Sequence, residues 1–202
     1  ELDFPFITYI YWFHMPAFFL LSGLFFKELK EEQDTKVSIK KRFLQLMVPY
    51  FFFLLAITTV RYGMELAGGN FDLSWYIQDL WKLVIAGRFA RGAYGVFWFV
   101  TTLFFTYLLF TLMTKYLNRF KQIVLLIVFY IVAHLESIFA MQYISGAPDK
   151  ASQTIPMLWN LDVVLMAIVY FSLGYYAKSI WMNITKTSFI GALIVAITAI
   201  FT

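Results

Sequence analysis

Six apolar stretches alternate with polar connections along this chain, at roughly residues 4–26, 44–60, 96–113, 123–141, 161–177 and 188–202. At 1.5 Å per helical residue, about 20 such residues cross a hydrocarbon core of about 30 Å. Several stretches are rich in Phe, Ile and Val, which in water would hint at strands. Here the length and continuity of the runs favour helices, and lipid forbids open sheet edges. The pattern therefore predicts an all-α, polytopic transmembrane helical bundle with about six spans in this segment. One connection has a pattern of its own. Between 72 and 86, Leu73, Ile77, Leu80 and Val84 recur at helical spacing, and Trp75, Tyr76 and Trp81 flank them. This predicts an amphipathic helix in the outer interface, capped by Asp72 or Ser74.

The polar connections differ in charge. Connections one, three and five (27–43, 114–122 and 178–187) hold eleven Lys and Arg residues, and connections two and four hold five. Basic residues collect on the cytoplasmic side, so the first set is expected to be cytoplasmic in a multi-pass cell-membrane protein. The acids of the first connection, Glu28, Glu31, Glu32 and Asp34, carry little weight in this rule.

Composition narrows the class. The chain is 61% hydrophobic and 14% charged, with a mean hydropathy of +0.73. A soluble domain is nearer 45–50% apolar and about 25% charged. The net charge of +4 needs no nucleic-acid partner, because cytoplasmic loops account for it. With no cysteine and only two histidines, no bound metal or cofactor is indicated. The expected partner at this level is the lipid bilayer. The chain also reads as a segment of a longer membrane domain. It begins at Glu1 without a signal-peptide pattern and stops inside an apolar run.

Within the spans, a few polar residues carry possible chemistry. His14 and Pro16 interrupt an uncharged run, and an ionisable residue in a span is a functional candidate by default. His14 has two readings: a packing residue bonded to a neighbouring carbonyl, or a general base or orienting group for a hydroxyl. Pro16 removes a backbone donor and loosens the local ladder. Ser22-Gly23 has no Gly-x-Ser-x-Gly setting for a nucleophile, and small residues in spans favour close helix approach. Lys40-Lys41-Arg42 is either a topology anchor or a phosphate site. His134 and Glu136 point apart on one helix, and Asp162 complements a helix N-terminus. These three are assigned no role.

The order of four motifs brings in a family. They are Phe13-His14-Met15-Pro16 followed by Ser22-Gly23; the basic run into Leu46-Met47-Val48-Pro49-Tyr50; Trp98-Phe99 followed by Leu103-Phe104; and Leu173-Gly174-Tyr175. Together they resemble the acyltransferase-3 family of integral membrane enzymes. That family often has two arginines three apart in the basic run; here Arg42 fills the first position and Gln45 stands at the second. The resemblance implies an O-acyltransferase that takes an acyl group, most plausibly acetyl, from cytosolic acyl-CoA. The acceptor would be a hydroxyl of an envelope glycan or lipid-linked sugar. It further implies that Lys41 and Arg42 meet the donor's phosphates and that His14 acts at the reacting centre. Ser22 and Trp98 are candidates to line the pocket. A further catalytic histidine would lie upstream of Glu1. The rival reading is a transporter of a small polar solute or glycan precursor, because broken helices and midplane polar residues serve transporters too. A scaffold protein would give His14 and Pro16 little purpose.

Overall fold

The computed structural model describes residues 5–29, 34–69, 71–85, 94, 97–139, 158–178 and 180. Among these, all regular structure is helical: α1 (Pro5–Leu24), α2 (Thr35–Ala67), α3 (Leu73–Ile85), α4 (Phe97–Tyr116), α5 (Arg119–Phe139) and α6 (Leu161–Tyr176). A 3-10 turn, Leu158–Asn160, leads into α6. α2, α4, α5 and the stretch Leu158–Tyr176 are long and apolar enough to cross a membrane, and Phe13–Leu24 is a shorter apolar helix. The span expected at 188–202 lies outside the described residues, as do Arg88, Arg91 and Lys150.

The second helix departs from the expected 44–60. α2 is 33 residues long, so Lys36, Lys40, Lys41 and Arg42 stand on its first turns and not in a loop. Its start is fixed by Asp34, whose carboxylate accepts from the Lys36 amide at 2.8 Å. Hydropathy alone missed this because the first two turns are polar, and a cap, not apolarity, defines them. At the other end the Gly68 amide closes on the Met64 carbonyl at 3.0 Å. Gly69 follows at φ +77, where a side chain would be strained. The interface helix is capped by Asp72, which accepts from the Ser74 amide at 2.9 Å.

By contacts the chain divides into two compact units, Lys27–Val169 and Glu1–Phe26 with Tyr170–Thr202. In the larger unit α2 and α4 run antiparallel. Thr35 meets Lys115, Arg42 meets Tyr107, Phe43 meets Phe104, Tyr50 meets Phe97, and Thr58 meets Tyr94 beyond the start of α4. The core of this unit is Met47, Tyr50, Leu83, Tyr94, Phe97 and Phe104. α4 joins α5 through Leu117 and Asn118. Asn118 caps α5 by accepting from the Lys121 amide at 3.0 Å, and the buried Gln122 amide group closes the end of α4 on the Leu117 carbonyl at 2.7 Å.

In the smaller unit α1 and the last turns of α6 cross at two glycines. A Cβ at Gly23 would lie 1.8 Å from the Phe171 carbonyl oxygen, and one at Gly174 would lie 1.9 Å from that of Leu20. Only hydrogen fits between these backbones. The Phe26 ring then seats edge-on against Phe171 and Tyr175, at 5.6 and 5.7 Å.

Candidate functional site

One end of the larger unit is strongly basic. Lys36, Lys40, Lys41 and Arg42 are exposed on the first turns of α2. The antiparallel register brings Lys115, at the end of α4, to the same place, where its ammonium donates to the Thr35 hydroxyl. Arg119 and Lys121, both exposed, follow on α5. Asp34 is engaged in capping α2 with its carboxylate, and the exposed acid Glu28 precedes it in the connection from α1. The Arg42 guanidinium lies over the Tyr107 ring, 4.9 Å from its centre, and one Nη is 3.5 Å from the Gln45 side-chain oxygen. A flat aromatic support orients the fork while leaving its N–H groups for an anion. Gln45, where the second arginine was expected, steadies the first. This end can therefore hold phosphate groups.

The opposite end of α2 carries a second arginine in a different setting. Arg61 makes a two-point ion pair with Asp79 of α3, with both N–O distances 3.0 Å. Tyr62 donates to the same carboxylate at 3.0 Å. Trp75 and Tyr94 cover the guanidinium, with ring centres 5.0 and 5.6 Å away. Thus α3 docks on α2 through Trp75, Tyr76, Asp79 and Leu83. Its expected apolar stripe, Leu73, Ile77, Leu80 and Val84, remains exposed. A helix held by a neutralised pair, with its greasiest side outward, suits a bilayer interface.

Between α2 and α3 lies a cavity of about 400 Å³, lined by Tyr50, Leu54, Thr58, Leu83, Val84 and Trp159 among others. Trp159 belongs to the turn before α6. Its indole donates to the Val84 carbonyl at 3.1 Å, and its ring sits 5.9 Å from Phe105 of α4. Trp159 and Asn160 both have left-handed backbone, φ 53 and 56. Non-glycine residues there cost on the order of 1–3 kcal/mol each, and such strain collects at functional sites. Asn160 and Asp162 are almost fully buried, as are Thr102 and Thr106 of α4. The Thr102 and Thr106 hydroxyls and the Asn160 carbonyl oxygen have no hydrogen-bond partner among the described residues. Each such atom costs about 1–3 kcal/mol.

The other expected residues are placed as follows. His14 is half-buried on α1, which continues through Pro16 without a break. Ser22 donates to the Phe18 carbonyl at 2.8 Å, a bond within its own helix beside the glycine crossing. Trp98 is half-buried in the first turn of α4, and its carbonyl accepts from Thr101 at 2.9 Å. His14 and Ser22 belong to the smaller unit; Lys41, Arg42 and Trp98 belong to the larger one. His134 is exposed, and its Nδ1 lies 2.9 Å from the Tyr130 carbonyl, which makes that nitrogen the donor. Asp162, expected at a helix start, is there in the first turn of α6.

Sequence reasoning missed the Arg61–Asp79 clamp and the α4 threonines. Both left a signal. Arg61 ends an uncharged run and Asp79 is the acid within the interface helix, while Thr102 and Thr106 are four apart in an otherwise apolar span.

A family model described as an acyltransferase domain matches residues 1–202, the whole chain. Neither the curated proteins nor the solved structures contain a match.

Proposed function

The chain belongs to the acyltransferase-3 family and is a membrane O-acyltransferase; from that premise we propose that it moves an acetyl group from cytosolic acyl-CoA to a hydroxyl of a cell-envelope carbohydrate or its lipid-linked precursor. The observation that carries the donor half is the gathering of Lys41, Arg42 and Lys115 at one end of the α2–α4 pair, with the guanidinium oriented on Tyr107. Coenzyme A is a polyanion, and an oriented arginine fork with nearby ammonium groups is the chemistry that grips phosphate. On this reading the basic end is cytoplasmic, with the connections at 27–43, 114–122 and 178–187. The apolar cavity and Arg61 then stand on the other side.

His14 is the residue proposed for the reacting centre. The acceptor oxygen attacks the thioester carbonyl carbon while the imidazole takes the hydroxyl proton. The new C–O bond forms and the C–S bond breaks. The departing thiolate receives the proton from the imidazolium, so free coenzyme A and the O-acetyl ester leave with the imidazole neutral again. An imidazole can take a proton and give it back, which suits both halves of that cycle.

The test follows labelled acetyl from acetyl-CoA into envelope glycan, in membranes carrying the full-length protein. His14→Ala should lower transfer by about 10²–10⁴-fold, the scale of a lost acid–base group. His14→Gln should keep the fold, because an amide replaces one hydrogen bond, and should stay equally inactive. Near-normal transfer by His14→Gln would reduce His14 to a packing residue. Absence of acetyl-CoA-dependent labelling by the unmutated protein, with every glycan acceptor tried, would favour a transporter.

A further inference from the structure

We infer that the cavity between α2 and α3 holds the hydrocarbon chain of the acceptor, so that the acceptor is a lipid-linked sugar and not a free glycan. The inference rests on the proposed carbohydrate acceptor and names the class to which it belongs.

The walls choose the occupant. At about 400 Å³ the hollow is within the range of small-molecule sites, about 300–1,000 Å³. Phe51, Leu54, Leu55, Leu80, Leu83 and Val84 make most of its surface. The polar groups among them are engaged elsewhere. The Thr58 hydroxyl donates to the Leu54 carbonyl at 2.7 Å and lies 3.0 Å from the Tyr94 hydroxyl. The Trp159 indole donates to the Val84 carbonyl. The Tyr50 ring stands edge-on to Phe51 and Phe97. An apolar cavity of this kind stays dry, because a water there needs two or more polar partners. A hydrocarbon chain needs none.

The hollow opens sideways. Leu55, Leu80 and Val84 at its rim are exposed, whereas Tyr50 and Leu83 at its back are buried. Its α2 wall runs from Tyr50 to Thr58, about 12 Å along the axis. That wall lies within the uncharged run between Arg42 and Arg61, the stretch of α2 fitted to hydrocarbon. On α3, Leu80 and Val84 also end the exposed stripe that begins at Leu73 and Ile77. One apolar surface therefore leads along α3 into the hollow.

Fixed parts hold the cavity open. The Arg61–Asp79 ion pair and the Tyr62 hydroxyl clamp α3 to α2. The indole bond and the Phe105 contact pin the turn before α6, with Trp159 and Asn160 in left-handed backbone. Bulk lipid needs no hollow of fixed shape, whereas a substrate chain does. An acetyl donor has no long chain to place there. The cations proposed for the donor stand elsewhere on α2, since Arg42 is eight residues, about 12 Å, from Tyr50. The acceptor is the substrate left to occupy it.

Leu55→Trp and Leu80→Trp test this in membranes carrying the full-length protein. Both positions are exposed at the rim, so the larger ring obstructs the mouth without entering the core. The sugar that accepts acetyl in the transfer assay is offered free and as its butyl, octyl and dodecyl phosphodiesters. Partition into the bilayer favours long chains for every variant alike, so the ratio of variant to unmutated kcat/KM isolates the cavity. That ratio should be lower for the dodecyl ester than for the free sugar by at least about tenfold (about 1.4 kcal/mol). An equal ratio for all four acceptors would overturn the inference. A second measurement needs no variant. Dodecyl phosphate with a diazirine at its chain end should label Phe51, Leu54 or Leu83 of the unmutated protein, and plain dodecyl phosphate should displace it. Equal labelling by phosphatidylglycerol carrying the same group would make the hollow a bulk-lipid surface. No labelling at these residues would mean that another part of the chain fills it. Either result overturns the assignment. If the unmutated protein transfers acetyl to no sugar, free or esterified, the functional proposal itself fails, and the photolabel still reads the cavity.

Discussion

Replacing Gly174 by alanine should cost this protein about 2 kcal/mol, although alanine is the better helix former. Two opposed effects set the figure. In an open helix the exchange gains about 1 kcal/mol, because alanine loses less backbone freedom. At the crossing, the new Cβ would meet the Leu20 carbonyl oxygen at 1.9 Å, where ordinary contact begins at 3.4 Å. The obstacle is backbone, so no side chain can swing away. The helices must part by about 1.5 Å, and a gap of even 0.5–1 Å forfeits a quarter to a half of each contact across it. The Phe26 ring, packed on Phe171 and Tyr175, loosens with them. Overpacking of this kind costs about 3 kcal/mol, the upper part of its usual range. Gly63→Ala is the control, since Gly63 is helical and exposed and a Cβ there meets nothing within 4 Å. Thermal unfolding in detergent should place Gly174→Ala about 4–8 °C below the unmutated protein and Gly63→Ala slightly above it. Gly23→Ala should resemble Gly174→Ala, and the double variant should cost less than the sum, because either change alone opens the same crossing. A Gly174→Ala protein as stable as Gly63→Ala would show that the backbones do not touch, and would refute the reasoning.

Four further expectations concern the larger unit. Arg42→Ala should weaken acetyl-CoA binding by about 1.5–3 kcal/mol, the worth of one charge-assisted phosphate contact, while insertion persists; unchanged binding in detergent would leave the basic run as a topology anchor. Gln45→Arg should tighten binding, read by the same titration. Arg61→Gln and Asp79→Asn should show a coupling of about 1–2 kcal/mol in a double-mutant cycle, between the surface and buried extremes, because the two side chains are 31% and 15% exposed respectively; a coupling near zero would mean that α3 is held by its aromatic contacts alone. Because the chain has no cysteine, single cysteines at Lys121 and Gln78 report sidedness: an impermeant reagent on intact cells should label Gln78→Cys and spare Lys121→Cys, and the reverse pattern would invert the proposed orientation.

The existence and type of these helices were legible because lipid makes hydropathy nearly sufficient: an uncharged run such as Phe43 to Val60 has one stable form there. Helix ends were less legible. Asp34 extends α2 nine residues before the apolar run expected to begin at 44, by a cap that hydropathy does not weigh. The interface helix was legible from its period, but its docking side was not. The apolar stripe is exposed, as an interface helix requires, and an acid, Asp79, with two aromatic rings, Trp75 and Tyr76, makes the contact with α2. Two of the motifs that carried the family resemblance have a shared physical basis: Gly23 and Gly174 are the two halves of one crossing. Nothing local to either glycine says that the other faces it. The unbonded oxygens of Thr102, Thr106 and Asn160 were illegible for a similar reason, since burial and partnership are properties of the folded contact.

The length of α2 links the two ends of the larger unit. Its 33 residues measure about 50 Å, well beyond a hydrocarbon core of about 30 Å. Between Arg42 and Arg61 it carries no charge, and those two residues are about 28 Å apart along the axis. The helix thus crosses the core between its two arginines. Each guanidinium lies at a boundary, and their partners differ accordingly. Arg61 is neutralised by Asp79 and roofed by aromatic rings, so its charge is spent on holding α3 in place. Arg42 has a ring beneath it and a side-chain amide beside it, and the ammonium groups of Lys40 and Lys41 follow the same turn. A paired arginine anchors, whereas an arginine among cations attracts anions. One bilayer thickness of a single helix therefore separates a closed ion pair from an exposed cluster of cations, the arrangement the proposed reaction would require if its charged donor and its acceptor arrived from opposite sides.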